Sequence, residues 1–447
     1  MPELRELVRA AVDAAAPGEQ VEAYAEESRH TEVKALRGEV EGMTFAESRG
    51  VGVRVIADGR LGYAWAADPS PEEVVATLER ARANAALAEP DEHHGLPEAQ
   101  PAPALDGLFD GSSAATPVQD KVDLALELER YAISRDPRVS KLDLAQVGDA
   151  VSSMAIASTA GVEAGYARTD AWVVVVTLAV DGDETQTGFS YAIERGLGGL
   201  AWQPIAEEAV DRGVQMLGAV KPPTAKLPVV LDPFAASSFL GVLAGALNAE
   251  NVLKGRSLFA GRIGEEVGSA AVTLVDDGRR ADGPGSCPFD DEGVPSGRTE
   301  LFRAGTLEAY LHDTYTARRT GDGQRSTGNA KRAGYRSTPG VGTSNFYLEE
   351  GTPSFDELLA QADGGVLIMD VTGVHSGANP ISGEFSVGAT GRRIAGGELG
   401  EPLREMTIAS TLPDMLRAVT AVGSDLRFFS SVGTPSVLIS EMTLAGV

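Results

Sequence analysis

The sequence predicts a strand-rich α+β protein of two domains. Two observations carry this. Glycine supplies 52 of 447 residues, well above the ~7% of ordinary chains, which demands many tight turns. Apolar residues alternate over long stretches, whereas the 3.6-residue periodicity of a helix is confined to short segments. A hydrophobic content of 43% and a charged content of 23% are globular values, and the length suffices for two to three domains of ~150 residues.

The elements follow in order. Leu4, Leu7, Val8, Ala11 and Val12 recur at helical spacing, and Pro17-Gly18 stops that helix. Strands follow from Val21; Val51, Val53 and Val55 alternate, and Asp58-Gly59 is a two-residue hairpin signal. Ser70, Pro71 and Glu73 are the cap, first-turn proline and box partner of a second helix. Thr116, Pro117 and Gln119 repeat that grammar for a third. Between these helices, residues 88–115 are rich in Pro, Ala and acid and read as a surface connector wrapping the N-terminal part. Strands resume after residue 139; the run Trp172 to Val180 is nearly all apolar, as in a strand covered on both faces. A helix over about Ile205 to Leu217 precedes KPPTAK, the domain boundary, so the domains span 1–220 and 221–447. Beyond it come the strand LPVVLD, a buried helix opened by Asp232 and Pro233, then strands, glycine loops and the helix TLPDMLRAV. No fixed-period internal repeat is visible.

Charge and cysteine exclude several functions. With 38 basic and 65 acidic side chains the net charge is −27, the wrong sign for direct nucleic-acid binding, which needs a basic footprint. The single cysteine, Cys287, excludes an intrachain disulfide and a cysteine-cluster metal site. No stretch is long and apolar enough to span a bilayer, and the N-terminal helix lacks an apolar signal core. The expectation is a soluble, cytoplasmic protein without membrane contact.

Reactive constellations are sparse. His30, His93, His94, His312 and His375 include no pair at helical i, i+4 spacing and no His-Glu-x-x-His. His93 and His94 read as solvated; His30 and His312 as structural. His375-Ser376, as neighbours on an extended chain, point apart and form no dyad. Cys287 reads as a spectator. The carboxylate clusters Glu265-Glu266, Asp276-Asp277 and Asp290-Asp291-Glu292 lack calcium-loop spacing and read mostly as solvated charge. One segment reverses the overall sign: residues 318–336 hold Arg318, Arg319, Arg325, Lys331, Arg332 and Arg336 against Asp322 alone. It suits an acidic peptide or partner surface, a phosphate cradle, or plain surface. Residues 370–391, DVTGVHSGANPISGEFSVGATG, pass from a buried strand through a turn-rich run into a strand with Phe385 and Val387 alternating. Loops held on a rigid sheet often carry binding.

Those strings resemble the TldD/PmbA (TldE) family, the modulators of DNA gyrase. The matching pieces are GVGVRVIADGRLGYA, LPVVLDPFAASSFLGVLAGAL, EEVGSAAVTLVDD, DEGVPSGRTELFRAGTLEAYLHDTYTARRTG, STGNAKR and GVHSGANPISGEFSVGATG, spread along the whole chain. The resemblance implies a TldD/PmbA-like fold. It also implies a zinc peptidase built from two kinds of subunit, acting on unfolded or leader peptides. TldD-type subunits carry His-Glu-x-x-x-His on a helix and a cysteine ligand near the C-terminus; TldE/PmbA-type subunits do not. Here the metal helix falls on FLGVLAGAL, with Leu240 and Gly245 at the histidine positions and Gly241 at the glutamate, and no cysteine follows Cys287. The chain therefore resembles the TldE/PmbA type. The resemblance implies no catalytic residue and no metal or cofactor in this chain, with zinc in the partner. The partners it implies are a TldD-type metallopeptidase subunit in a heterodimer, a homodimer for the chain alone, and extended peptide substrates; for so strand-rich a body, edge-strand capture is the natural way to hold an extended peptide. His375, Ser376, Gly377, Asn379, Glu384, Ser386, Arg318, Arg319 and Arg325 are the expected peptide or partner contacts. Two alternatives remain open: a self-sufficient metallopeptidase-like hydrolase with unrecognised active residues, and a stand-alone peptide-binding or regulatory protein.

Overall fold

The structure is a computed structural model that describes residues 2–446. It is α+β and strand-rich, as the alternation predicts. Among the described residues the strands form three six-stranded sheets and one two-stranded pair.

The first sheet is built from β1 (Gln20–Leu36), β2 (Glu39–Ala57), β3 (Arg60–Ala67), β4 (Lys141–Ser158), β5 (Glu163–Asp181) and β6 (Glu184–Glu194). Their spatial order is 3-2-1-4-5-6, all neighbours antiparallel. This order is a pseudo-twofold repeat. Helix α1 (Pro2–Asp13), the meander β1–β3 and helix α2 (Pro71–Leu87) make one unit. The short α3 (Gly111–Ala114) and then α4 (Val118–Arg135) lead into the second meander, β4–β6, which α5 (Trp202–Val214) closes. Both units use the same device to bring the closing helix down. A Cβ on Gly62 of β3 would lie 2.0 Å from the Ala81 carbonyl of α2, and one on Gly188 of β6 would lie 1.9 Å from the Ala209 carbonyl of α5. The repeat is thus in the architecture and not in any sequence period.

Local expectations hold unevenly. The Asp58-Gly59 turn joins β2 to β3 with positive φ at both residues, 49° and 74°. Ser70 caps α2 by accepting the Glu73 N–H, but the Glu73 carboxylate turns away to Arg80, so the box is half-made. Thr116 donates to the Ser112 carbonyl instead of capping α4, whose cap position is Pro117. β5 is not covered on both faces: one face is buried under α4 and α5, while Trp172, Val174, Val176 and Leu178 stay half-exposed on the other. The connector does not wrap the N-terminal part alone. Its Leu96 carbonyl accepts from Arg318, its Asp91 from the Tyr315 hydroxyl, and Arg279 donates to Pro103 and Ala104.

From residue 225 the chain builds the other two sheets. One closes on itself: strands Glu398–Thr411, Glu384–Ala395, Val366–Thr372, Ala225–Leu231 and Val437–Ala445 follow in order, and the last pairs back with the first. The other contains Leu274–Asp277, Arg298–Arg303, Phe346–Leu348 and Val432–Thr434. Helix α6 (Pro233–Ala246) lies between them, its Phe239, Leu240 and Leu243 in one core with Val229, Ile368, Phe346 and Leu348. No described helix is long and apolar enough to cross a membrane.

Candidate functional site

Helix α6 starts where Asp232 accepts the Ala235 N–H at 2.8 Å, with Pro233 in the first turn. Burial pushes the Asp232 carboxyl up to about 6, against the pull of Arg212, which also donates to it. The helix is not buried all round, as its composition suggests. Ala235, Ala236, Phe239, Leu240, Leu243 and Ala246 face the core, but Gly241 is exposed, and a Cβ at Gly241 or Gly245 would meet nothing within 4 Å. The positions aligned with a metal helix thus offer one fully buried aliphatic chain, Leu240, and two bare glycines. None has an atom that binds zinc, so this helix does not fit the metal. Among the described residues no three His, Cys, Asp or Glu side chains converge as a ligand set.

The loop beside α6 is tightly specified. Strand Val366–Thr372 runs parallel to Ala225–Leu231 and ends at Gly373, whose φ is 75°. One helical turn, Val374–Gly377, follows, so His375 and Ser376 sit on a helix and not on an extended chain. The Ser376 hydroxyl donates to the Gly373 carbonyl at 3.2 Å. The Asn379 side-chain oxygen accepts the N–H groups of Ile381 and Ser382, and its own N–H donates to Glu384. Gly377 passes so close to the next strand that a Cβ would lie 2.0 Å from the Ser386 carbonyl. Phe385 anchors the far end, its ring 6.1 Å from that of Phe239 on α6. His375, Ser376, Asn379, Glu384 and Ser386 are consequently exposed on a fixed frame, with Gly377 half-buried beneath them. They supply one imidazole, two hydroxyls, an amide and a carboxylate to whatever lies across the loop.

The basic segment is not one surface. Arg318 and Arg319 lie on helix Thr314–Thr320; Arg318 donates to the Leu96 carbonyl at 2.9 Å, and Arg319 to the Tyr315 hydroxyl. Arg325 is exposed beyond that helix. Of the other three bases, Lys331 and Arg332 turn inward, while Arg336 stays exposed. Arg336 stacks 4.8 Å over Trp65, Arg332 is ion-paired with Glu22, and the Lys331 ammonium lies 3.6 Å from the Cys287 sulfur. Burial opposes the charge on Lys331, but the surrounding Cys287, Asp291, Tyr166 and Asp290 hold its pKa above the ordinary lysine value.

This inward half belongs to a seam that sequence reasoning missed. The helix-free face of the first sheet presents Glu22, Tyr24 and Arg54 to loops of the C-terminal half, where Tyr24, Met154 and Ile156 pack with Phe289 and Tyr335. Arg54 donates to Glu22 at 2.6 Å and to Glu292 at 2.9 Å, all three buried. Glu292 loses solvation there, yet Arg54 and the Thr314 N–H hold its pKa below the ordinary value. Burial and the Glu292 charge push Asp290 up to about 8, against N–H donors from Ala330, Glu292 and Val294. Asp276, Asp290 and Glu292 are therefore buried carboxylates and not solvated charge. Cys287 is likewise engaged, its sulfur 3.3 Å from the Ser296 hydroxyl. His93 and His94 pack on the Tyr315 ring, half-buried, and are not simply solvated. The legible signal was Arg54, a charge inside the otherwise apolar run of β2. A groove of about 650 Å³ runs between residues 99–109, Gly161–Ala167 and Pro288-Phe289, with Gly293 also in its wall.

Comparison with known proteins covers nearly the whole chain. Residues 21–85 match domain 1 of the PmbA/TldA metallopeptidases, residues 111–217 their central domain, and residues 224–446 their C-terminal domain. The chain is 27% identical to the metalloprotease PmbA of Escherichia coli O157:H7, over 93% of this chain and 89% of that one. It is 26% identical to the metalloprotease TldD homolog of Haemophilus influenzae, over 90% and 88%. Among solved structures, a Thermotoga maritima protein described as a modulator of a DNA gyrase superposes with a TM-score of 0.88 at 29% identity, covering 96% of each chain. TldE from Thermococcus kodakarensis shares the fold at the same TM-score, 0.88, with 23% identity over 99% of this chain and 100% of that one. The first two matched domains together form the single six-stranded sheet, and the third is the part that holds α6 and its loop. The chain belongs to the PmbA/TldD metallopeptidase family.

Proposed function

We propose that this chain is a TldE/PmbA-type subunit that carries no catalytic metal and completes a peptidase with a TldD-type partner, which supplies the zinc. The complex would process or degrade unfolded or leader peptides. The observation that supports this reading most is helix α6: the family's metal position is occupied by Leu240, Gly241 and Gly245, of which Leu240 is 1% exposed. A chain with the whole family fold and no ligand on that helix is suited to shaping a site that another subunit finishes. In this reading His375, Ser376, Gly377, Asn379, Glu384 and Ser386, with Arg318, Arg319 and Arg325, contact peptide or partner. The rigid frame of loop 373–386 favours that role, because binding to a preordered loop costs little ordering entropy.

The test is coexpression with a TldD-type subunit and a peptidase assay on an unfolded peptide. Cleavage by the pair, abolished by a chelator and absent from either chain alone, is the expected result. Chelator-resistant cleavage by this chain alone would instead establish the self-sufficient hydrolase.

A further inference from the structure

Lys331 is an inward-turned cation that forms no ion pair among the described residues. Its ammonium has one hydrogen-bond partner, the Cys287 sulfur at 3.6 Å. The contact is held from both sides. On one side the Asp291 N–H donates to the Ala330 carbonyl, the Ala330 N–H to the Asp290 carboxylate and the Arg332 N–H to the Asp291 carboxylate, so both neighbours of Lys331 are fixed. The lysine stem runs over Gly342, where a Cβ would lie 2.8 Å from its Cγ. On the other side the Cys287 N–H donates to the Gly278 carbonyl, and the sulfur lies 3.3 Å from the Ser296 hydroxyl. A thiol, an ammonium and a hydroxyl are thus brought together by three separate loops. The sulfur is 2% exposed, but Lys331 is only half-buried, and Pro288 and Phe289, which follow Cys287, line the groove of about 650 Å³.

We propose that Cys287 is a modification site, a thiol that small hydroperoxides oxidise to the sulfenic acid, with Lys331 as proton donor to the departing oxygen. This goes beyond the peptidase reading and does not depend on it. Reacting as thiolate and ammonium, the sulfur attacks one peroxide oxygen and the O–O bond breaks. Sulfur gives up two electrons as the S–O bond forms, and the departing hydroxide takes a proton from Lys331 and leaves as water. The products are the sulfenic acid, a neutral lysine amine and water; the amine regains its proton from the solvent that its half-buried chain reaches. The cation thus faces the charge that moves from sulfur to leaving oxygen, the surroundings that make a cysteine reactive where an apolar pocket leaves it inert. The Ser296 hydroxyl remains as hydrogen-bond partner for the new S–OH group. Cys287 is the single cysteine of the chain, so no resolving thiol within it converts the acid to a disulfide. Burial of the sulfur closes the site to bulky thiols, whereas hydrogen peroxide is hardly larger than water.

Reagent size and the lysine charge give the experiment. The folded protein, treated with hydrogen peroxide and then unfolded in urea containing dimedone, should carry a dimedone group on Cys287 by peptide mass mapping, with Cys287→Ser as the blank. The bulky aromatic disulfide DTNB should leave the folded protein unmodified and react fully after unfolding. Lys331→Met keeps the stem that packs on Gly342 and removes the proton, so its adduct should form about tenfold or more slowly. Lys331→Arg restores a cation with N–H donors and should recover most of the rate. Three results would overturn the proposal: no adduct in the natural protein, an equal rate in Lys331→Met, or DTNB reacting as fast with the folded chain as with the unfolded one. The first and third need no variant, so they decide the matter even if Lys331→Met misfolds.

Discussion

Arg54 should be the most costly single side chain to remove outside the aliphatic core. One of its terminal nitrogens donates to both Glu22 and Glu292, and all three residues are 5% exposed or less. Arg54→Met keeps most of the apolar volume of the side chain. It leaves Glu22 with Arg332, but it leaves the buried Glu292 carboxylate with only the Thr314 N–H at 2.9 Å. Breaking a buried pair from one side costs about 3–5 kcal/mol, because the remaining charge is stranded without solvent. Adding Glu292→Gln removes the stranded charge, so the double variant should cost less than the sum of the single ones, with a coupling of about 2 kcal/mol. Urea unfolding followed by tryptophan emission reads the effect at the right place, since the Trp65 ring lies 5.9 Å from Tyr335 across the seam. A protein of this size need not unfold in one step, so the early transition is the one to follow. An Arg54→Met shift worth less than about 0.5 kcal/mol, or strict additivity in the double variant, would refute the claim that the seam is held by this network.

Three further outcomes follow from the same geometry. Leu240→His should cost about 2–4 kcal/mol, losing a buried aliphatic group and burying an unpartnered ring, whereas Gly241→Glu should fold normally because the position is open; thermal unfolding of the two variants separates them. Asp232 holds its proton in the fold up to about 6 rather than 3.8, so the stability from its neutral form is present below pH 4 and is lost as pH rises through 6. Asp232→Asn should remove that dependence, so the unfolding free energy from urea titrations should fall by about 2 kcal/mol more between pH 4.5 and 7 in the natural protein than in the variant. Reversing the charge at Arg318, Arg319 and Arg325 should lower the activity of the coexpressed complex, more at 20 mM than at about 300 mM salt, with cleavage rates as the readout; equal rates would return that face to plain surface.

The sequence made legible what neighbouring residues decide. The Asp58-Gly59 hairpin, the Asp232 cap and the Phe385 and Val387 alternation all form as local signals require. What stayed hidden depends on distant partners. Glu22 meets Arg332 across 310 positions and Arg54 meets Glu292 across 238, and no spacing rule reaches that far. The same cause divided the basic segment 318–336, because Arg332 and Lys331 find acids and a thiol contributed by other elements and turn inward. Thr116 shows the local failure: its hydroxyl had two acceptable partners, and the short helix before it won. The pseudo-twofold repeat escaped because a meander fixes strand order and alternation but leaves residue identities loose; the two units share a glycine under the closing helix and little else.

Helix α6 divides into a packed side and an open side. Phe239, Leu243 and Ala246 bind the two C-terminal sheets together, and Phe239 also meets Phe385 at the base of the loop. Gly241 and Gly245 point away from that core into open space. Glycines at these two positions take no part in packing and leave the core intact at a helix-propensity cost of about 1 kcal/mol per residue, whereas Leu240 is part of that core. Filling the open face with large apolar chains would instead have closed it. Loop 373–386 meets α6 on the packed side, through Phe385 against Phe239, and is held in shape by Asn379 and Gly377. If the proposed pairing holds, the open side of α6 and the outer face of loop 373–386 are two separate places for a partner to reach. Bulk introduced at Gly241 or at Ser386 should then lower the activity of the coexpressed pair independently of each other, while thermal unfolding of this chain stays unchanged.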